Sequence, residues 1–144
     1  MTAYTPYQPE LSQGYLQAIY EFQSMTAALY GMDVANASMY DGATAMAEAA
    51  LMASTINSRK KIVVTQSVHP NYRAVLQTYC WSVGLTVDEI VAPNGISDDY
   101  SKVDKEAACI IVQNPNFFGA IEDLDKAREA ARAAGAIFIV VADP

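Results

Sequence analysis

Charged residues are scarce in this chain of 144 residues, and basic residues are scarcer than acidic ones. Charged side chains make up 17% of the sequence, whereas globular domains usually carry about a quarter. Nine lysines and arginines stand against sixteen aspartates and glutamates, which gives a net charge of −7. Because nucleic-acid binding needs a basic face that neutralises phosphates, this composition argues against nucleic acid as a partner.

Histidine, cysteine and long apolar runs are also rare. Each shortage argues against one class of site or protein. One histidine cannot build a histidine-based metal cluster, and Cys80 and Cys109 lack the spacing of metal ligands. We therefore predict no metal site and two buried free thiols, as is usual in a reducing compartment. No signal-peptide pattern and no run of membrane-spanning length is present. These features favour a cytoplasmic protein without a membrane partner.

Apolar residues, in contrast, are abundant at 52% of the chain, which is enough for one domain with a real core. Together with the low charge, this suggests that large surfaces are buried against a subunit or against the remainder of a larger domain. The chain stops at Asp143-Pro144, directly after an apolar strand pattern. We therefore expect a piece of a longer protein, which self-associates through the apolar area left uncovered.

The hydrophobic pattern alternates between the helical and the strand period. After a long helix over residues 10–30 and a possible short strand over 34–37, β-branched apolar runs predict buried parallel strands. These predicted strands cover 61–65, 85–91, 107–113 and 136–142, and the predicted helices between them cover 43–58, 72–83 and 122–134. Such alternation is typical of an α/β fold with a mainly parallel sheet flanked by helices.

A turn at Asp41-Gly42 opens directly into a helix of small residues. The first N–H groups of a helix have no partner within it, and the helix dipole places partial positive charge there. Gly42, Ala43 and Thr44 could therefore bind an anion, most often a phosphate. The simpler interpretation is a plain helix cap, with Asp41 or Thr44 capping and Gly42 easing the turn.

Polar residues follow the predicted strands closely and should therefore meet at one edge of the sheet. They are the segment 41–44, His69, Asn114 and Asp143. A phosphate-binding helix start, an imidazole and a carboxylate would suit pyridoxal phosphate, whose ring must be stacked and kept protonated. The simpler alternatives are that His69 caps a helix and that Asp143 caps a following one.

Five motifs resemble, in order along the whole chain, the P-protein family of the glycine cleavage system, glycine decarboxylase. They resemble most closely the first of the two subunits into which many prokaryotes split that enzyme. The motifs are Tyr4-Thr5-Pro6-Tyr7-Gln8-Pro9-Glu10, Ala35-Asn36-Ala37-Ser38 with Tyr40-Asp41-Gly42-Ala43-Thr44-Ala45, Ser67-Val68-His69-Pro70, Gln113-Asn114-Pro115-Asn116-Phe117-Phe118-Gly119 and Val140-Val141-Ala142-Asp143-Pro144.

The resemblance implies both a fold and a set of site residues. Residues 10–144 would be part of the large domain of a fold-type-I pyridoxal-phosphate enzyme, which is aspartate-aminotransferase-like, preceded by an extended segment over 1–9. Asp41, Gly42, Ala43 and Thr44 would form the phosphate-binding turn, His69 would stack on the cofactor ring, and Asp143 would pair with its nitrogen. Tyr4, Thr5, Tyr7, Gln8 and Asn114 would lie at the substrate or at the subunit interface.

The resemblance also implies an activity. The family decarboxylates glycine with pyridoxal phosphate and transfers the aminomethyl group to the lipoyl arm of the H-protein. The Schiff-base lysine lies beyond residue 144 and is generally missing from the first subunit. We therefore expect the second P-protein subunit to hold the cofactor in a heterotetramer, and this chain alone to bind none and to be inactive. The alternatives are another fold-type-I enzyme, such as an aminotransferase or cysteine desulfurase, and a non-catalytic partner subunit.

Overall fold

The computed structural model describes residues 5–143, which divide into two units, residues 5–39 and 40–143. The first unit contains a 3₁₀ turn, Pro9–Leu11, and helix α1, Gln13–Tyr30. Gly31 ends α1 in the left-handed conformation, with φ of 65°, where its N–H reaches the carbonyls of the last turn. The predicted helix over 10–30 is thus confirmed, apart from its first residues, which form the separate 3₁₀ turn.

The predicted short strand over residues 34–37 is wrong, because these residues form no strand. Two alanines and an asparagine give this segment little β propensity, and a strand also needs a hydrogen-bonded neighbour. The carbonyl of Ala35 instead accepts a hydrogen bond from the Gln23 side chain of α1, at 2.8 Å. Asp41 is therefore not positioned by a preceding strand, contrary to our expectation.

The second unit is built on a four-stranded parallel sheet with the order β2-β1-β3-β4. Its strands are β1 Lys61–Thr65, β2 Thr86–Ile90, β3 Ala107–Gln113 and β4 Ile137–Val141, and its helices are α2 Gly42–Asn57, α3 Pro70–Ser82 and α4 Leu124–Ala134. Every predicted boundary in this unit holds to within two residues. The α/β fold class is therefore confirmed.

The central strands β1 and β3 are apolar on both sides because helices cover both faces of the sheet. On one face, the alanines of α2 and Leu76 of α3 pack over Ile62 and Ile111. On the other face, α4 and the buried Tyr100 pack over Val63 and Ile110. Small side chains on α2 let this helix lie close to the sheet, so its first turn comes near the carboxyl ends of the strands.

Helix α4 begins two residues later than predicted, because the two acidic residues before it take different roles. Asp123 caps the helix by accepting a hydrogen bond from the N–H of Lys126, at 3.0 Å. Glu122 instead turns inward and is only 4% exposed. A residue expected on a helix surface is therefore part of the interior.

Helix α2 begins with a reciprocal capping box between Asp41 and Thr44. The Asp41 carboxylate accepts a hydrogen bond from the N–H of Thr44 at 2.8 Å, and the Thr44 hydroxyl oxygen accepts one from the N–H of Asp41 at 3.1 Å. These hydrogen bonds favour the ionised carboxylate, so the pKa of Asp41 lies below its ordinary value of 3.8. The plain helix-cap interpretation of Asp41 is what the local geometry shows.

The capping box predicts a pH dependence that Asp41→Asn should weaken. Because the folded chain lowers the pKa of Asp41, this stabilisation is present above the unfolded pKa of about 3.9 and is lost as pH falls through the lowered value. Asparagine also caps helices but does not titrate here. We expect the drop in unfolding free energy between neutral and acidic pH to be smaller in the variant, measured by urea denaturation. Asp98→Asn is the control for an exposed carboxylate, and equal drops in both variants would contradict the prediction.

The packing of β3 predicts that Ile111→Ala destabilises the chain strongly. Ile111 is fully buried between the sheet and α2, so its truncation leaves a cavity and should cost about 2–5 kcal/mol. The matched control is Ile121→Ala, because Ile121 is 68% exposed, and this change should cost less than about 0.5 kcal/mol. Denaturant titration followed by circular dichroism measures both, and similar losses would show that the core is assigned wrongly.

Candidate functional site

A cleft of about 320 Å³ lies at the edge of the sheet where the strands end. Parallel strands place all of their carboxyl ends at one edge, and ligands of open α/β sheets bind there. The start of α2 closes one side of the cleft, and the ends of β3 and β4 form its floor. The residues that line it are Gly42, Tyr72, Gln113, Pro115, Val141, Ala142 and Asp143.

Gly42 and Tyr72 approach each other closely in the cleft wall. A β-carbon added at Gly42 would lie 2.6 Å from the Tyr72 hydroxyl oxygen and 3.0 Å from the adjoining ring carbon, which is too close for either atom to stay in place. Glycine at this position thus lets the Tyr72 ring pack against the first turn of α2. The packing of two helix starts, and not a preceding strand, brings the turn to this edge.

His69 follows β1 and caps helix α3. The ring atom Nδ1 of His69 accepts a hydrogen bond from the backbone N–H of Asn71 at 3.1 Å. The backbone N–H of His69 donates to the side-chain oxygen of Gln113 at 2.8 Å. Its ring centre lies 5.2 Å from that of Tyr72 and 4.8 Å from that of Phe117. The helix-cap alternative for His69 is therefore observed. His69 also borders the cleft, since it contacts two of the residues that line it.

Asp143 and Asn114 follow the two strands that form the floor. Asp143 is exposed and lines the cleft directly. The N–H of Asn114 donates to the carbonyl of Val141 at 2.9 Å, and its side-chain oxygen accepts from the N–H of Glu122 at 3.0 Å. The Asn114 amide therefore stabilises its own loop, while Asp143 is the carboxylate that a ligand in the cleft would meet.

The donors at the start of α2 fit a phosphate poorly. The N–H of Thr44 is already bound by the Asp41 carboxylate, which also lies near the N–H of Ala43. An incoming anion would thus face a negative charge at the position where a phosphate-binding turn offers free N–H groups. Shape and position match a cofactor cleft, but the anchoring chemistry does not.

The residues predicted near the amino terminus belong to the first unit. The carbonyl of Thr5 accepts a hydrogen bond from the N–H of Tyr7 at 2.8 Å, and the carbonyl of Gln8 accepts from that of Leu11 at 3.0 Å. These contacts are local, and Tyr4 lies outside the described residues. Their role at a substrate or an interface therefore stays a prediction.

Sequence reasoning did not single out Tyr72, Gln113 or Glu122 as functional. A signal existed for Gln113, because it is the last residue of a predicted buried strand, where ligand contacts collect. Tyr72 could have been noted as a large side chain at the start of the helix after His69. Nothing in the sequence separates Glu122 from the other acidic residues around α4, because its burial depends on two distant loops.

Both cysteines are free and buried, as predicted. Burial raises the pKa of Cys80 to about 11 and that of Cys109 to about 12, so neither thiol is a reactive nucleophile at neutral pH. Within residues 5–143, no group of three or more histidine, cysteine or acidic side chains could hold a metal ion. In the same part of the chain, no helix combines the length and hydrophobicity needed to cross a bilayer.

Comparison with known proteins identifies relatives over the full chain. The family model of the glycine cleavage system P-protein matches residues 1–144. The probable glycine dehydrogenase (decarboxylating) subunit 1 of Desulforamulus reducens is 55% identical over 99% of the chain, and that of Thermotoga maritima is 56% identical over all of it. The chain spans about a third of the length of these relatives, 33% and 32% respectively.

Two solved structures are similar to this chain. A crystal structure of glycine decarboxylase (P-protein) of the glycine cleavage system, in inhibitor-bound form, matches with a TM-score of 0.93 and 52% identity, over 99% of this chain and 32% of that one. An apo structure of cysteine desulfurase from Thermococcus onnurineus matches with a TM-score of 0.64 and 22% identity, over 94% of this chain and 35% of that one, which shows a shared fold alone. The chain belongs to the glycine cleavage system P-protein family.

Proposed function

We propose that this chain is part of the first subunit of a two-subunit P-protein, the glycine dehydrogenase (decarboxylating) component of the glycine cleavage system. In the complete enzyme, glycine would lose carbon dioxide, and its aminomethyl group would pass to the lipoyl group of an H-protein. The observation that carries this proposal is the match of the whole chain to a third of relatives named as subunit 1. It favours this function over an aminotransferase or a cysteine desulfurase, since the desulfurase shares only the fold.

The cleft supports a cofactor-type domain. Residues 10–144 would be a piece of that domain. The segment 41–44, His69 and Asp143 would stand where the family holds pyridoxal phosphate. Tyr4, Thr5, Tyr7, Gln8 and Asn114 would serve the substrate or the subunit interface. The convergence of Gly42 and Asp143 on one cleft, with His69 at its border, supports this assignment.

The second subunit, and not this chain, would hold the cofactor. One feature of the cleft supports this: the Asp41 carboxylate is bound to the start of α2. When bound, pyridoxal phosphate supplies an electron sink for bond cleavage next to the amine. Within this chain, the Asp41 carboxylate would repel a phosphate at the start of α2. The packing of Tyr72 on Gly42 would maintain the shape of the cleft. The buried free thiols support a cytoplasmic location for the complex.

The location of the cofactor predicts how the complete subunits behave when they are separated. The complete first subunit alone should show no saturable binding of pyridoxal phosphate below the millimolar range, because the start of α2 already carries its own carboxylate. Adding the second subunit should produce the absorbance of bound cofactor and glycine-dependent release of carbon dioxide. Saturable micromolar binding by the first subunit alone would overturn the assignment to the second. Lack of activity in the assembled and loaded pair would overturn the proposed reaction.

An aspartate substitution tests the same assignment within the assembled enzyme. Asp143→Asn in this chain should change kcat and KM for glycine by less than about twofold, because Asp143 would not pair with the reacting cofactor. Asp98→Asn is the matched control, since Asp98 is an exposed aspartate outside the cleft. A selective loss of about 100-fold in the Asp143 variant would show that this cleft is catalytic.

The 144-residue chain by itself should self-associate. Large apolar side chains on the outer surfaces of α2 and α3 are exposed, at 57% for Met52, 65% for Ile56 and 83% for Trp81. Exposed apolar side chains that form a contiguous patch mark a contact with another protein surface. We expect a dimer or a larger species in light scattering at micromolar concentration, and a monodisperse monomer would contradict this expectation. Met52→Lys combined with Ile56→Lys should shift the distribution towards monomer.

A further inference from the structure

A buried carboxylate joins two loops at the carboxyl edge of the sheet. Glu122 is 4% exposed, and each of its carboxylate oxygens accepts a hydrogen bond from an amide. One donor is the N–H of Ser97, at 3.1 Å, in the loop after β2, and the other is the side-chain amide of Asn116, at 2.8 Å, in the loop after β3. Since burying a carboxylate is costly unless its oxygens are bound, these two contacts hold both loops to one position.

Asn116 connects Glu122 to the turn over residues 116–120, because its side chain forms hydrogen bonds with both. Besides binding Glu122, its side-chain amide donates to the carbonyl of Gly95, at 2.6 Å. Its side-chain oxygen accepts from the N–H of Phe118 at 3.0 Å and from that of Ala120 at 3.1 Å. Asn116 is itself 4% exposed. All of these bonds are made only when the turn has one geometry, so the turn is ordered before any ligand arrives.

The turn places an aromatic side chain on His69. The N–H of Phe117 donates to the carbonyl of Ser67, at 2.8 Å, which ties the turn to the loop that carries His69. The Phe117 ring meets the imidazole edge to face, at 4.8 Å and an angle of 81°. The Phe118 ring centre lies 5.5 Å from that of Phe117. His69, Phe117 and Phe118 together form an aromatic cluster at the carboxyl edge of the sheet.

The state of the imidazole follows from its own hydrogen bond. Because Nδ1 accepts from the N–H of Asn71, the proton of the neutral ring lies on Nε2. Nε2–H is therefore the donor that the ring can offer to a ligand. Asn71 holds the imidazole through Nδ1, and Phe117 packs against it edge to face. The turn that carries Phe117 is itself held by Glu122.

We propose that Glu122 is a positioning residue at this edge of the sheet: through Asn116 it holds Phe117 against His69 and so fixes the orientation of the imidazole, whose Nε2–H is then a preoriented donor. A donor that is already oriented loses little freedom on binding, which strengthens recognition. The proposal concerns only side chains of this chain. It therefore holds whichever subunit carries the cofactor.

Glu122→Gln in the complete subunit tests the positioning role. A neutral amide cannot accept two hydrogen bonds in the same way, because its NH₂ group would face either the N–H of Ser97 or the amide of Asn116. We expect the ring-proton resonances of His69 to move towards free-histidine values as the ring current of Phe117 is lost. Hydrogen exchange at the amides of Phe118 and Ala120 should rise about tenfold. Glu129→Gln, the same change at an exposed residue of α4, should alter neither measurement.

Two further variants separate the steps of the argument. Phe117→Leu should move the His69 resonances without accelerating exchange at Phe118 and Ala120, because it removes the ring and leaves the bonds of the turn intact. Glu122→Asp keeps the charge but shortens the reach, and should give a smaller change of both kinds in a chain that folds. Wild-type His69 resonances in a folded Glu122 variant would overturn the proposal, even if exchange is faster.

The unsubstituted subunit provides an independent check that needs no variant to fold. Its Phe118 and Ala120 amides should exchange slowly, and the nitrogen shifts of the neutral His69 ring should report a proton on Nε2. Rapid exchange at these amides, or a proton on Nδ1, would overturn the proposal directly. None of these readouts depends on pyridoxal phosphate or on activity, so a failure here is distinguishable from a failure of the proposed reaction.

Discussion

The parallel pairing of β1 with β3 is the interaction on which the rest of the second unit depends. Both strands are apolar on each side, and they hold together only because α2 and α3 cover one face and α4 covers the other. Parallel pairing then forces every strand to end at the same edge. The loops with His69, Asn114 and Asp143 are brought together by this arrangement, although they are far apart in sequence.

Electrostatics at the start of α2 decides what this edge can bind. A helix start is a ready anion site only while its N–H groups are free. Here the Asp41 carboxylate binds the N–H of Thr44, so the positive end of the helix is compensated from within the chain.

Order at the rim of the cleft comes from buried polar groups more than from apolar packing. Glu122 and Asn116 are almost fully buried, yet the turn they hold presents exposed phenylalanines. A buried network in which each polar atom is satisfied specifies a single geometry, because any other arrangement leaves a desolvated group unpaired. Such a network can therefore hold a surface loop in a single geometry.

The sequence by itself determined the fold class and the order of the elements, since hydrophobic period and β-branched runs act locally. It also indicated that His69 and Asp143 each follow a strand of one parallel sheet, and its motifs pointed to the P-protein family. The strand expected over 34–37 failed because a strand needs a partner that no local pattern reveals. The sequence offered the cap of α2 by Asp41 as the simpler interpretation, because a capping box joins residues three apart. Only the tertiary structure decided that Tyr72 closes on Gly42 and that Glu122 is buried. These outcomes depend on contacts between residues that are distant in sequence. The free energy of burying a charge depends on the partners that bind it, and no local sequence pattern shows those partners.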